Sequence, residues 1–237
     1  MWWGWRIFVV VFLTMTTLVG GVAYIFSFLF RRRLISFFVI YAVLSGSLVF
    51  IAPKFDRVAL ACVPEPGRMS VQSPLFCATN RHYVRPELKV LADDIASVFP
   101  KIRALDAGFP LPDGYALLPH LSHHDGRKMD LAFAYAATPP FGLGYWHFID
   151  GPTECPDTWL SLRWDMDWLN WAERDVPVDL DTTTALLRWM SIEPRVDRIF
   201  LEPHLKSAWG MTSDKISFQG CRAARHDDHI HIEIAGS

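Results

Sequence analysis

The first 52 residues of the chain contain no aspartate or glutamate, although the 237 residues include 25 acidic ones. Two apolar runs, Ile7 to Phe30 and Leu34 to Ala52, fill this stretch and flank Arg31-Arg32-Arg33. A helix needs about 20 apolar residues to cross the hydrocarbon core of a bilayer. The runs of 24 and 19 residues therefore predict a membrane anchor over residues 1 to 52, with two transmembrane helices joined by a tight basic turn.

The first run also lacks a small-residue cleavage site, and tryptophans crowd its start. Both features argue against a cleaved signal peptide. By the positive-inside rule the three arginines stay in the cytoplasm, so the N-terminus and everything after Ala52 are expected on the far side of the membrane. We therefore predict a protein of the bacterial inner membrane with its C-terminal domain in the periplasm or on another extracytoplasmic side.

Cysteine is scarce, and all four cysteines lie in the exported part. Their spacing lacks the pattern of a zinc ribbon, whereas an even number in an oxidising compartment favours disulfide bonds. Four cysteines allow three connectivities. Of these we predict Cys62–Cys77, which closes a short local loop, together with Cys155–Cys221.

A basic stripe and nucleic-acid-binding motifs are missing as well. Four of the 23 basic residues precede residue 53, which leaves 19 against 25 acidic residues and a formal charge of −6 for the exported part. This balance argues against DNA or RNA as a partner.

The exported part mixes helical and strand patterns. Residues 53 to 85 have no clear period, which predicts a linker and an irregular approach to a domain over residues 86 to 237. Helices are expected from Pro86 to before Pro100, from a cap at Asp181 through Met190, and over Pro203 to Trp209; strands are expected over Gly114 to Leu118, Met129 to Ala137 and Val196 to Leu201. With a final strand over HIHIEI, the pattern predicts an α+β fold with a mainly antiparallel sheet and flanking helices, preceded by the two-helix transmembrane hairpin.

The C-terminal strand is the first candidate site. The sequence RHDDHIHIEI (225 to 234) holds three of the nine histidines and alternates polar and apolar residues from His229 onward. On a strand, His229, His231 and Glu233 then share one face and three isoleucines the other. Two neighbouring imidazoles suggest a metal or proton-transfer site, but an HxH motif alone fits a solvated edge strand better.

A second cluster favours the metal site. The stretch PHLSHHDGRKMDL (119 to 131) places His123 and Asp130 seven residues apart, with Gly126 between them. A loop that ends in a strand can bring both side chains to one point. A third histidine from the C-terminal strand would complete a zinc site with three protein ligands and one open position.

The two clusters together resemble a known family of zinc peptidases. HxxGxxxD followed by HxH is similar to the group that includes lysostaphin-type enzymes, D-Ala-D-Ala peptidases and penicillin-insensitive murein endopeptidase, and the chain resembles the last of these most. The matching positions are His120, Ser122, His123, Gly126 and Asp130, then His226, His229 and His231, with DRIFLEP over 197 to 203. The resemblance covers the chain from His120 to the end and leaves out the membrane anchor.

The resemblance implies a zinc cofactor (Zn²⁺) and a set of site residues. The implied metal ligands are His123, Asp130 and His231; the implied catalytic residues are His229 as general base, with His226 and His120 as supporting histidines.

The choice of base has an alternative in Asp228. A glutamate has the same offset from the zinc histidine in the D-Ala-D-Ala carboxypeptidases, but strand alternation is expected to turn Asp228 to the face opposite His229. The chain also departs from the family at Lys128 and at Ile232-Glu233. These departures leave open which bond is cleaved.

Three functions follow from these patterns. The first is a membrane-tethered zinc metallopeptidase that cleaves cross-links between the stem peptides of peptidoglycan, a polymer on the same side as the exported domain. The second is a D,D-carboxypeptidase or dipeptidase that trims D-Ala termini. The third is a non-catalytic domain, stabilised by zinc or free of metal, that binds cell wall or a membrane partner.

Overall fold

The computed structural model describes residues 2–115, 122–137, 145, 149, 151, 152, 155 and 176–236. Two of the sequence predictions fall outside these residues. They are the position of His120 and the last part, residues 116 to 118, of the strand expected from Gly114.

The prediction of two transmembrane helices is wrong for the first apolar run. Helix α1 (Trp2–Thr17) ends before Leu18, whose φ of 68° lies in the left-handed region, and a short helix α2 (Gly20–Ser27) follows. A left-handed residue ends a right-handed helix. Among the described residues, only α3 (Arg33–Ile51), continued by a 3-10 turn over Ala52–Phe55, is long and apolar enough to cross a membrane.

Helix α2 packs closely against α1 through two glycines. A Cβ atom at Gly21 would lie 2.0 Å from Thr14 Oγ1 and 2.7 Å from the Val10 carbonyl oxygen, and one at Gly20 would lie 2.4 Å from Thr17 Oγ1. Small residues of this kind let the backbones of neighbouring helices approach. The first run is therefore a tight helical hairpin.

The described residues after Phe55 form two sheets. The small one pairs β1 (Val58–Ala59) with β2 (Tyr83–Val84), and the larger one has the order β3-β6-β4-β5. Its strands are β3 (Lys128–Ala132), β4 (Val196–Phe200), β5 (Ile216–Ser217) and β6 (His229–Ile234).

The α+β class is confirmed, but the larger sheet is mixed rather than mainly antiparallel. Strand β6 is antiparallel to both β3 and β4, whereas β5 is parallel to β4. The chain passes through helix α7 (Pro203–Ala208) between β4 and β5, and such a crossover lets the second strand run in the same direction as the first.

Three further helices lie in the part of this domain that the structure describes. They are α4 (Pro74–Ala78), α5 (Pro86–Val98) and α6 (Leu180–Ile192). The predicted helix at Pro86 is confirmed, and its buried face consists of Leu88, Leu91, Ala92, Ile95 and Ala96.

Some predicted boundaries need correction. The N-cap of α6 is Asp179 rather than Asp181, because the Asp179 side chain accepts a 3.1 Å hydrogen bond from the backbone N–H of Thr182. The strand expected to reach Ala137 ends at Ala132. The two predicted disulfides, Cys62–Cys77 and Cys155–Cys221, are both present.

Candidate metal centre

The pairing of β3 with β6 brings two of the expected ligands together. In this antiparallel register Asp130 lies directly opposite His231, and Ala132 lies opposite His229. Directly opposed residues point to the same face of a sheet. The alternation predicted for β6 is confirmed, since Ile230 and Ile232 belong to the hydrophobic core while the histidines face away from it.

His123 reaches the same point from the loop before β3. Its Nδ1 donates a 2.9 Å hydrogen bond to the Ala107 carbonyl. That contact fixes the ring so that Nε2 faces the other two ligands.

A buried ion pair stabilises the backbone segment that accepts the hydrogen bond from His123. Arg81 Nε donates a 2.9 Å hydrogen bond to Asp106 Oδ1, and the Arg81 carbonyl accepts the N–H of Ala107 at 3.1 Å. The Asp106 carbonyl also accepts the N–H of Asp130 at 2.8 Å. The segment around Ala107 therefore holds the backbone next to both His123 and Asp130.

The backbone conformation of Gly126 accounts for the glycine in the HxxGxxxD motif. Its φ is +69°, and a Cβ atom there would lie 2.6 Å from Nε of Arg57, a side chain buried to 1% exposure. Glycine alone adopts this conformation without strain and leaves room for the guanidinium. Any other residue at this position would strain the loop between His123 and Asp130 and crowd the guanidinium of Arg57.

The three ligand atoms form a compact triangle. His123 Nε2 lies 3.2 Å from His231 Nδ1 and 3.3 Å from Asp130 Oδ1, and His231 Nδ1 lies 2.9 Å from Asp130 Oδ1. Ligands held about 2.0–2.1 Å from a tetrahedral zinc ion lie about 3.3 Å apart. The spacing of the side chains thus fits a bound metal ion.

The protonation of His123 also suits a ligand. Burial lowers the pKa of His123 and outweighs the charge of Asp130, which would raise it. The neutral ring is therefore favoured. Because Nδ1 carries the proton that Ala107 accepts, Nε2 presents a lone pair toward His231 and Asp130. A neutral imidazole that presents its lone pair in this way is the form of histidine that binds a metal ion.

The Asp228 side chain points in a different direction from the one predicted. Its Oδ1 lies 2.5 Å from Nδ1 of His229, so its carboxylate does not point away from that histidine. The alternation argument fails because β6 begins at His229, and Asp228 precedes the strand. A carboxylate on Nδ1 fixes the tautomer and the orientation of an imidazole. His229 Nε2 in turn lies 3.7 Å from Asp130 Oδ1.

His226 lies beside the two strand histidines. Its ring centroid is 4.8 Å from that of His229 and 5.6 Å from that of His231. Its backbone N–H donates a 3.2 Å hydrogen bond to Glu202 Oε1, and its carbonyl accepts the N–H of Glu202 at 3.1 Å. Glu202, the glutamate of the DRIFLEP segment, therefore fixes the turn that precedes β6.

Tyr145 belongs to the site and was missed by the sequence analysis. Its hydroxyl donates a 2.8 Å hydrogen bond to Asp130 Oδ2, and its ring meets that of His229 edge to face at 5.1 Å. Burial, followed by the charge of Asp130, raises the pKa of Tyr145 well above its usual range, so the hydroxyl remains a donor. No periodic pattern or motif surrounds Tyr145, and the sequence therefore gave no signal for it.

The two departures from the family resemblance lie opposite each other. Lys128 and Glu233 are paired across β3 and β6, with Nζ 3.3 Å from Oε1, and the same Oε1 lies 3.6 Å from Nε2 of His231. Burial alone would raise the pKa of Glu233, but His231 and Lys128 outweigh it and lower that pKa to about 2. An ionised carboxylate thus lies behind a candidate metal ligand, where such groups orient the ring.

One other group of side chains has the spacing of a metal site. Cys62, Cys77 and His82 lie close together, but the two sulfurs form a disulfide and are not available as thiolates. Within the described part of the chain, His123, Asp130 and His231 are the remaining group with this spacing, and none of the three belongs to a disulfide.

Comparison with known proteins adds no relative. No family model matches the chain, and no curated protein matches it.

Proposed function

We propose that the chain is a membrane-tethered zinc metallopeptidase that hydrolyses peptide cross-links of peptidoglycan. The observation that supports this most is the convergence of His123, Asp130 and His231, with the Asp228–His229 pair directly beside them. Two imidazoles and one carboxylate are the protein ligands of many catalytic zinc sites.

A zinc ion in this triangle would supply Lewis acidity at the scissile carbonyl and lower the pKa of water. The residues around it have separate tasks. His229 accepts a proton from the nucleophilic water through Nε2, while Asp228 holds the proton on Nδ1 and stabilises the imidazolium that forms. His229 then returns the proton to the departing amine, and the products are a carboxylate and a free amino group.

Two further groups keep the ligands in place. Tyr145 donates to Asp130 Oδ2, which leaves Oδ1 directed at the two histidines. Glu233 lies behind His231 on the side away from the ligand atoms. The hydrogen bond from Tyr145 orients its ligand, whereas Glu233, at 3.6 Å from Nε2, acts on His231 through its negative charge.

The membrane anchor and the disulfides support a substrate outside the cytoplasm. Helix α3, with its 3-10 extension, is apolar and long enough to hold the chain in a membrane. Two disulfide bonds suit an oxidising compartment. In a bacterium, peptidoglycan is the abundant peptide-containing polymer on that side.

The test is mass spectrometry of cross-linked muropeptides incubated with the purified full chain in detergent micelles. We expect dimers to be converted to monomers by the wild type and by His124→Ala, a matched control in which an exposed neighbour of His123 is removed. Asp130→Ala should be inactive and should contain far less zinc by elemental analysis. Stoichiometric zinc in Asp130→Ala would remove that residue from the site.

The pattern of products separates the alternatives. Loss of terminal D-Ala with intact dimers would show a D,D-carboxypeptidase instead of an endopeptidase. Unchanged muropeptides despite bound zinc would refute catalysis on this substrate and favour a binding domain.

A further inference from the structure

We propose that α1, α2 and α3 insert into lipid as one three-helix module, with Arg6 and Arg31–Arg33 on the cytoplasmic side and the metal-binding domain docked on the opposite end. This rests on the membrane anchorage proposed above, but not on peptidase activity. It also reverses the sequence-based expectation for the N-terminus, which the two-span interpretation put on the far side.

The basic residues of the module meet at one end. The guanidinium carbon of Arg6 lies 4.9 Å from the centroid of the Phe28 ring, and that of Arg33 lies 4.8 Å from the same centroid. The start of α1 is therefore next to the start of α3, with the turn of Arg31 and Arg32 between α2 and α3. By the positive-inside rule an end that carries four arginines stays in the cytoplasm.

The other end of α1 contacts the exported domain. Asn80 Nδ2 lies 3.0 Å from the Thr17 carbonyl oxygen, and the Tyr115 hydroxyl donates a 3.0 Å hydrogen bond to the Thr14 carbonyl. The last carbonyls of a helix lack partners within the helix. The carbonyls of Thr14 and Thr17 accept the backbone N–H groups of Leu18 and Val19, and the two side chains of the domain add a second contact to each, which places this end of α1 next to the domain.

Asn80 joins the domain to α3 as well. The same Nδ2 atom lies 3.1 Å from Ser45 Oγ and 3.4 Å from Tyr41 Oη, and the residue is 1% exposed with a left-handed φ of 61°. The Tyr41 hydroxyl also donates to the carbonyl of Ala78. One asparagine thus contacts two helices of the module.

The outer surface of the module suits lipid acyl chains. Large apolar side chains are exposed along it, and the hydroxyls of Thr14 and Thr17 donate 2.7 Å hydrogen bonds to the carbonyls of Val10 and Leu13 in their own helix. In hydrocarbon every polar group needs such an internal partner. The first 52 residues also contain no acidic side chain that would oppose insertion.

The lengths of the helices explain why they insert together. Helix α1 has 16 residues and α2 has 8, which correspond to rises of about 24 Å and 12 Å. Both fall short of a hydrocarbon core of about 30 Å. At the break, Leu18 and Val19 donate to the carbonyls of Thr14 and Thr17, and the domain side chains contact the same two carbonyls.

Cysteine labelling of the full chain tests this topology. The four native cysteines are in disulfides, so a single added cysteine gives a unique thiol. We choose Trp3→Cys and Arg32→Cys at the basic end, and Ile192→Cys, at an 81% exposed position on α6, as the domain control. A membrane-impermeant maleimide is applied to spheroplasts of a Gram-negative host, before and after permeabilisation.

We expect Ile192→Cys to be labelled in intact spheroplasts, and Trp3→Cys and Arg32→Cys only after permeabilisation. Labelling of Trp3→Cys before permeabilisation, with Arg32→Cys still protected, would overturn the module and restore two separate spans. Trp5→Cys, at a 65% exposed position of the same helix, serves as a second probe. The same labelling result at both positions would show that it does not depend on the Trp3→Cys substitution itself. Recovery of the protein in the soluble fraction would refute membrane anchorage, whatever the outcome of the muropeptide assay.

Discussion

Replacing Asp228 with asparagine tests whether His229 and Asp228 act as one unit. The 2.5 Å contact between Asp228 Oδ1 and His229 Nδ1 keeps the imidazole proton on Nδ1 and leaves Nε2 as the basic nitrogen. An asparagine has nearly the same size, but its amide can donate to Nδ1 and so favour the tautomer with the proton on Nε2. In that tautomer His229 cannot accept a proton on the side of the metal ligands.

The expected loss of turnover follows from the rate enhancement that a general base provides. Loss of the correctly oriented base should lower turnover by about 10²- to 10⁴-fold, which corresponds to about 3–5 kcal/mol in activation free energy. His229→Ala should fall in the same range. The effects of substituting residues that act as a unit do not add. The turnover of the double variant should therefore lie within a few-fold of that of the slower single variant.

The assay is the rate of muropeptide dimer cleavage at saturating substrate, with zinc content measured for every variant. Asp227→Asn is the matched control, because it changes a neighbouring buried carboxylate that pairs with Arg225 at 2.6 Å. We expect this control to retain most of the wild-type turnover. Wild-type turnover of Asp228→Asn at full zinc content would refute the reasoning, as would multiplicative losses in the double variant with His229→Ala.

Three other substitutions test separate contacts. Tyr145→Phe should weaken zinc affinity about 10- to 100-fold by releasing Asp130; unchanged affinity in a competition titration with a chelator would contradict that role. Gly126→Ala should destabilise the fold by about 1–3 kcal/mol through left-handed strain, measured by urea unfolding, and an equally stable variant would show that the loop can rearrange. The hydrogen bond from Lys101, followed by those from Thr182, lowers the pKa of Asp179 to about 2 from 3.8. This stabilisation is therefore complete above pH 3.8 and lost as the pH falls through 2, so the deficit of Asp179→Ala, about 1 kcal/mol for a lost N-cap, should shrink over that range; a constant deficit would contradict the assignment.

The face of each residue in β6 could be predicted from the sequence, but its burial could not. Alternation gives the side on which a residue lies, and the core isoleucines and the three-ligand cluster agree with it. An HxH motif alone fits a solvated edge strand, in which the histidines would be exposed. His229 and His231 are instead buried, because the partners that cover them come from distant parts of the chain, such as Tyr145 and Phe200.

The membrane segment shows a similar limit. Hydropathy measures how apolar a run is, and Ile7 to Phe30 is long enough to predict one span. Nothing in hydropathy reports the backbone turn at Leu18, which depends on close packing of Gly20 and Gly21 and on the contact of Asn80 with Thr17. The glycine pair was the only local signal for this turn, and glycine is common in membrane helices without one.

The pairing of Lys128 with Glu233, by contrast, could have been derived from the motifs. If Asp130 and His231 bind one metal from neighbouring antiparallel strands, they lie opposite each other, and that single pair fixes the register of every other pair. Moving two residues along each strand in opposite directions then puts Lys128 opposite Glu233, as the structure has it. The two positions that differ from the resembled family are therefore one coupled difference, in which a lysine and a glutamate balance each other next to His231. Changing Glu233 alone would remove the nearer of the two carboxylates that Lys128 faces, since Asp125 Oδ2 lies 3.8 Å from Nζ and Glu233 Oε1 lies 3.3 Å from it.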